Sequence, residues 1–301
     1  MPGIGLGTWK SSPGVVGEAV RAALELGYRH VDCAAAYGNE KEVGEAIRGA
    51  MDAGILERGD LFVTSKLWNT MHRPDDVKLA LTKTLSDLGL EYLDLYLIHW
   101  PVHVDKETGE QIPYDDLPIT DTWKVLEECV DQGLVRDIGV SNFSAKKIGD
   151  ILEVARVPPS VNQVERHPYL QNPSLLEYCL ANKVHVTAYS PLGSNDRPME
   201  NKELQRILDE PVIADICTTK DEGTTPAQIL IRWALHCETS VIPKSTRTSR
   251  IKENLQAAQL ELTDQDLEAI KALDRHQRYL DGTEFSDVPN SPYTLKGIWD
   301  E

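Results

Sequence analysis

Positive charge is scarce in this chain. Its 31 Lys and Arg stand against 48 Asp and Glu, a formal net charge of −17 over 301 residues. Long-range repulsion argues against nucleic acid or an anionic membrane as a partner. Any anionic ligand would need its own local cluster of cations. Long apolar runs are missing too. No window approaches the roughly 18 to 20 residues of a membrane span, and Met1-Pro2-Gly3 begins no signal-peptide pattern. Cys33, Cys129, Cys179, Cys217 and Cys237 are odd in number and lack metal-ligand spacing. That usage suits reduced thiols in a cytoplasmic protein and predicts no metal site. No low-complexity linker interrupts the sequence, so one domain over residues 1–301 is expected. Gly5-Leu6-Gly7-Thr8-Trp9-Lys10 lacks the third glycine of a dinucleotide-binding fingerprint.

What the chain does have is alternation. Strand-like segments begin near Ile4, Arg29, Leu61, Leu93, Val135, Val161, Val184 and Ser240, most of them separated by one amphipathic stretch. Val15, Val16, Ala19, Val20, Ala23 and Leu24 share a helical face, with Ser12-Pro13 expected as cap and first turn and Gly27 as the stop. Pro74 starts another helix in the same way. Buried strands without in-out alternation, such as Val184-His185-Val186-Thr187-Ala188, indicate a parallel sheet covered by helices. Eight such units predict an α/β fold, a closed (β/α)₈ TIM barrel. Extra residues follow the fourth strand (about 103–118) and the seventh (about 190–201), at the strand ends where barrel active sites lie. A tail over 277–301, rich in Gly, Pro, Asp and Ser, follows without a helical pattern.

Three successive strands end in titratable groups. Asp32 closes the segment Arg29-His30-Val31, Lys66 follows Leu61-Phe62-Val63-Thr64-Ser65, and His99 follows Leu93-Asp94-Leu95-Tyr96-Leu97-Ile98. A carboxylate at the end of a buried strand is costly unless it meets a cation, and Lys66 is positioned to be that cation. Tyr37 sits five residues beyond Asp32, at the mouth of the following loop. A phenol so placed is a candidate proton donor. A phenol with an ordinary pKa near ~10 is a poor donor at neutrality. An ammonium beside it is expected to lower that value by roughly 1 to 3 pH units. Downstream, Pro243-Lys244-Ser245-Thr246-Arg247-Thr248-Ser249-Arg250 gathers three cations ahead of a short helix from about Ser249 to Ala257. Such a helix N-terminus suits a phosphate.

These residues resemble the aldo-keto reductase family, and NADPH-dependent aldehyde and aldose reductases in particular. The blocks that carry the resemblance are Gly27-Tyr28-Arg29-His30-Val31-Asp32-Cys33-Ala34 with Tyr37 and Asn39-Glu40, Ser65-Lys66-Leu67-Trp68-Asn69, Asp94 to Pro101, Gly139-Val140-Ser141-Asn142-Phe143, and Ile242-Pro243-Lys244-Ser245. They run in the family's order from Gly5 to about Leu262.

The resemblance implies a catalytic set of Asp32, Tyr37, Lys66 and His99, with Tyr37 as general acid in the reduction of aldehydes and ketones to alcohols. It implies NADPH/NADP⁺ as cofactor. Lys244, Ser245 and Arg250 would hold the 2′-phosphate, with Thr246 in the same turn, and Glu253 and Asn254 would lie on the adenine. Ser141, Asn142 and Gln163 would face the carboxamide, with Tyr189 stacked under the nicotinamide. Ser190, Leu192 and Ser194 would meet the pyrophosphate, and Thr8 and Trp9 would lie at the cofactor's rim. Trp9, Trp68 and Trp100 would line the pocket for a small carbonyl substrate. The expected state is a monomer.

Two other readings stay open from the residues: a cofactor-binding regulatory or structural barrel without turnover, and a Schiff-base lyase using Lys66. Some features depart from the family pattern. Relatives carry an N-terminal hairpin across the barrel floor, whereas this chain begins almost at its first strand, so a less covered floor is expected. Ala35-Ala36 suggest a roomier pocket, and Arg166 stands where a small residue is common.

Overall fold

The computed structural model describes residues 1–194 and 206–301. Ten strands follow one another among these residues: β1 (Leu6–Gly7), β2 (His30–Asp32), β3 (Phe62–Leu67), β4 (Leu93–Ile98), β5 (His103–Val104), β6 (Gln111–Ile112), β7 (Val135–Ser141), β8 (Val161–Glu165), β9 (His185–Tyr189) and β10 (Ser240–Val241). Eight form one parallel sheet in the order β1-β2-β3-β4-β7-β8-β9-β10, and β5 and β6 form a separate hairpin. The sheet closes on itself. Ile4 bridges Val241 in parallel, and the Gly5 N–H donates to the Val241 carbonyl at 2.8 Å. The expected (β/α)₈ barrel is the observed architecture.

The helices are α1 (Val16–Glu25), α2 (Glu40–Asp52), α3 (Pro74–Leu88), α4 (Ile119–Asp131), α5 (Ala145–Leu152), α6 (Pro173–Ala181), α7 (Pro211–Thr218), α8 (Pro226–His236), α9 (Thr248–Gln256), α10 (Asp264–Lys271), α11 (Thr283–Ser286) and α12 (Leu295–Trp299). None of those described is long and apolar enough to cross a membrane. Apolar stripes press the outer helices onto the sheet. On α1 the buried set is Val16, Ala19, Val20, Ala23 and Leu24; Val15, expected on the same face, stands exposed at the N-cap, just before the helix starts. Its start differs from expectation. The helix begins at Val16, and Ser12 is no cap; Ser12 instead closes a turn through its carbonyl to the Val15 N–H at 3.1 Å. The free helix-start donors go to Glu42 of α2, whose carboxylate accepts from the Gly14 and Gly17 N–H groups at 3.0 and 2.8 Å. A side chain from elsewhere in the chain does the capping, so no local signal announces it. At Gly44 of α2 an added Cβ would lie 2.3 Å from the Leu88 carbonyl oxygen, so glycine there lets α2 and α3 touch.

The main core lies between sheet and helices, and Leu95, Leu97 and Val161 pack inside the barrel with Phe62 at its edge. A second apolar cluster caps the strand C-terminal ends: Trp100, Val102, Phe285, Tyr293, Ile298 and Trp299. It joins the β5–β6 hairpin to the tail. The tail is not free of helix as expected, since α11 and α12 lie within it. At four and five residues each, they are too short to show a period and are held by tertiary contacts instead.

Candidate active site

The parallel register brings the strand-end groups together. Asp32 ends β2 beside Thr64, and Lys66 lies on β3 beside Leu97, one turn of pleat above. Lys66 is fully buried, and its ammonium spends its three N–H bonds on three acceptors. These are Asp32 Oδ1 at 2.6 Å, the Cys33 carbonyl at 2.8 Å and the Tyr37 hydroxyl at 3.2 Å. The other carboxylate oxygen of Asp32 accepts from Gln163 Nε2 at 2.7 Å, across the barrel from β8. Gln163, expected to face a carboxamide, thus also fixes Asp32. Burial disfavours the Lys66 ammonium, but Asp32 and Tyr37 together outweigh it and raise its pKa above the ordinary lysine value.

Burial also dominates at Tyr37 and pushes the phenol up to about 12, against the downward pull of Lys66. The expected net depression is therefore not found. Lys66 only limits a rise that burial imposes. Because the hydroxyl oxygen accepts from Lys66, its own proton stays available to the cavity. His99 follows β4, its ring edge-on to Tyr37 with centroids 5.8 Å apart and edge-on to Trp68 at 5.1 Å. Burial first, then the Lys66 charge and the unfavourable coupling to a protonated His72, hold its pKa well below the ordinary value, so the ring is neutral at pH 7. Its Nδ1 is buried with no partner among the described residues. A bare acceptor there is cheaper than an unpaired N–H, which puts the ring proton on Nε2.

A cavity of about 1100 Å³ opens at this end of the barrel. Asp32, Tyr37 and His99 line its floor; Trp9, Trp68 and Trp100 line its walls. Ser141, Asn142, Gln163 and Tyr189 form one side, joined by hydrogen bonds. The Tyr189 hydroxyl donates to Asn142 Oδ1 at 2.7 Å, the Asn142 amide to the His99 carbonyl at 3.0 Å, and the Ser141 hydroxyl to the Gln163 carbonyl at 2.8 Å. Asn142 and Ser190 hold left-handed backbone, with φ of 64° and 46°, unusual for residues other than glycine. Thr8, Ser190, Leu192, Ser194, Lys244, Ser245, Arg250, Glu253 and Asn254 line the remainder. Lys66 lies behind Tyr37 rather than in the wall. Thr246 is the one expected residue the structure leaves out: it is exposed and does not line the cavity. Its turn points it to solvent while its neighbours Lys244 and Ser245 face inward.

Of the loop expected over 190–201, residues 195–201 lie outside the described residues. Arg166 does not reach the cavity either. Its guanidinium covers the Trp233 ring at 4.4 Å and braces β8 against α8. Leu280, Glu284 and Phe285 of the tail line the cavity without any motif to announce them. Glu253 is held by the Thr225 hydroxyl at 2.8 Å, a partner 28 residues away that no spacing rule selects.

The family model described as the aldo/keto reductase family matches residues 3–275. The chain belongs to the aldo/keto reductase family. An aldo/keto reductase of Synechocystis is 50% identical, the alignment covering 100% of this chain and 94% of the relative. Human aldo-keto reductase family 1 member A1 is 48% identical over 93% of this chain and 88% of its own. The solved aldose reductase of Schistosoma japonicum superposes with a TM-score of 0.87 at 40% identity, covering 98% of this chain and 95% of that one. This aldo-keto reductase is thus an oxidoreductase that reduces carbonyl groups with a nicotinamide cofactor.

Proposed function

We propose that this aldo-keto reductase reduces aldehydes and ketones with NADPH, with Tyr37 as the proton donor. The observation that carries the reading is the contact of Tyr37 with a lysine whose three protons are all committed. Such a lysine is charged and oriented, which speaks against Lys66 as a Schiff-base nucleophile. A phenol that accepts from it directs its own proton outward, to the oxygen of a carbonyl in the cavity. Neutral His99 donates to the same oxygen and fixes its place. Asp32, with both oxygens filled, holds Lys66 in place rather than acting as a base.

The residues fit a dinucleotide. When bound, the nicotinamide supplies the hydride. Ser141, Asn142 and Gln163 offer amide and hydroxyl groups to its carboxamide, and the Tyr189 ring offers a face beneath it. Lys244, Ser245 and Arg250, at the start of α9, would take a phosphate on the ribose, the reason to prefer NADPH over NADH. Glu253 and Asn254 would face the adenine. At about 1100 Å³ the cavity exceeds the roughly 300 to 1,000 Å³ of usual small-ligand sites, leaving room for cofactor and substrate together. Five cysteines with free thiols suit the cytoplasm, and a monomer is the state proposed.

Mixing the protein with NADPH and a panel of aldehydes should consume the cofactor. Tyr37→Phe should lower kcat by roughly 10²- to 10⁴-fold and leave NADPH affinity unchanged. Cofactor binding lost together with turnover would remove Tyr37 from this role, and no turnover in the parent protein would leave a binding barrel.

A further inference from the structure

The tail over 277–301 is held at both ends by residues outside the cavity wall. At its root, the buried Glu165 carboxylate at the end of β8 accepts from the Tyr279 N–H at 2.8 Å and the Leu280 N–H at 2.7 Å. His167 Nε2 lies 2.7 Å from the same group. At its tip, Lys147 of α5 is 5% exposed, yet its ammonium reaches the Gly297 carbonyl at 2.8 Å, the Ile298 carbonyl at 3.1 Å and Asp300 Oδ2. Ser144, the cap of α5, donates its hydroxyl to the same Asp300 oxygen. A cation suits the end of α12, where unpaired carbonyls and the negative end of the dipole gather. Asp300 itself holds left-handed backbone, φ 56°, as it turns into this contact. Between the two ends, the Tyr293 hydroxyl bridges the β5–β6 hairpin, accepting from the His103 N–H at 2.8 Å and donating to the Ile112 carbonyl at 2.7 Å.

The tip sits next to the substrate end. Trp299 packs edge-on against Trp100 with centroids 5.8 Å apart, and Phe285 does so at 5.1 Å. Trp100, Phe285 and Leu280 line the cavity. The lateral position of Trp100 is therefore fixed by a side chain that the tip holds, and that of Leu280 by a backbone that Glu165 holds. We propose that Glu165 and the Ser144–Lys147–Asp300 cluster are two clamps on the tail, and that Lys147 is a positioning residue setting the fit of bulky carbonyl compounds from outside the cavity. The clamps stand on geometry alone; their effect on turnover rests on the function proposed above.

Three variants test this: Lys147→Met, Lys147→Arg, and Asp300→Asn, which cuts the same clamp from its more exposed side. Hydrogen exchange across 279–300 should speed up in Lys147→Met and Asp300→Asn and stay near the parent rate in Lys147→Arg. At saturating NADPH, KM for benzaldehyde should rise roughly tenfold in Lys147→Met and Asp300→Asn and hold in Lys147→Arg, because small misplacements of a pocket wall carry that scale of penalty. KM for propanal, kcat for propanal and NADPH affinity should hold. A loosened tail with an unchanged benzaldehyde-to-propanal KM ratio would overturn the specificity role, and unchanged exchange in both disruptive variants would overturn the clamp. Should the parent protein reduce no aldehyde, the exchange measurement still decides the clamp by itself.

Discussion

Removing the Lys66 ammonium by Lys66→Met strands Asp32, and the size of the loss can be worked from the geometry. Asp32 is 1% exposed and its charge has one cationic partner among the described residues, at 2.6 Å; Gln163 offers a single neutral donor. Breaking a buried pair from one side typically costs about 3 to 5 kcal/mol. A stranded carboxylate can escape by taking up a proton. From an ordinary aspartate value near 3.9, protonation at pH 7 costs about 4 kcal/mol, which sets a ceiling on the electrostatic loss. At roughly 2 °C per kcal/mol for a chain of this size, the midpoint should drop by about 6 to 8 °C.

Because the escape route takes up a proton, the deficit must depend on pH. The folded variant binds a proton that its unfolded chain releases, so its stability falls as pH rises. The gap to the parent protein should shrink by about 1.4 kcal/mol for each pH unit from 7 towards 5. Asp32→Asn added to Lys66→Met should recover most of the stability and flatten that dependence, with turnover still lost. Urea unfolding of the parent, the single and the double variant across this range measures all three quantities. A Lys66→Met protein within about 1 kcal/mol of the parent at pH 7, or a double variant that is merely additive, would refute a buried pair held by mutual neutralisation.

Four further outcomes follow from individual contacts. With the Tyr37 phenol pushed up to about 12 and His99 held neutral, kcat/KM for reduction should stay flat from about pH 6 to 9 and fall only above; an inflection near 6.5 in the pH–rate profile would mean that His99 titrates. Replacing Lys244 or Arg250 by Met should raise KM for NADPH roughly tenfold each and leave KM for NADH nearly unchanged, as steady-state kinetics with both cofactors would report. Glu42→Ala strips the acceptor from the Gly14 and Gly17 N–H groups and should lower unfolding free energy by about 1 to 2 kcal/mol in a urea titration. Burial lowers His30 and His103 to about 4 and His72 well below its ordinary value. The unfolded chain therefore takes up protons below about pH 6.5 that the fold refuses, and stability should fall steadily as pH drops from there towards 4.

The parts of this site that were legible in the sequence share a physical property: they depend on where a residue stands along its own strand. Asp32 ends β2, Lys66 stands one residue before the end of β3 and His99 directly follows β4, and a parallel sheet necessarily lines up such ends, so their meeting needs no long-range information. The eight units were legible for the same reason, since each helix carries its own apolar stripe. What could not be read depends on partners far apart in the chain. Gln163 reaches Asp32 across 131 positions, Lys147 reaches Asp300 across 153, and Glu42 caps α1 from another helix. Those contacts are consequences of closure, and no periodicity encodes them. The acidity of Tyr37 belongs with this second group. A nearby ammonium is visible as a strand-end lysine, but the burial opposing it is set by the packed loops around the ring, and burial is the larger effect. The direction of the balance changes the role of Lys66. In the closed barrel it does not make Tyr37 an unusually strong acid. It occupies a lone pair of the phenol and restrains the rise that burial imposes, so that a protonated hydroxyl faces the cavity around neutral pH.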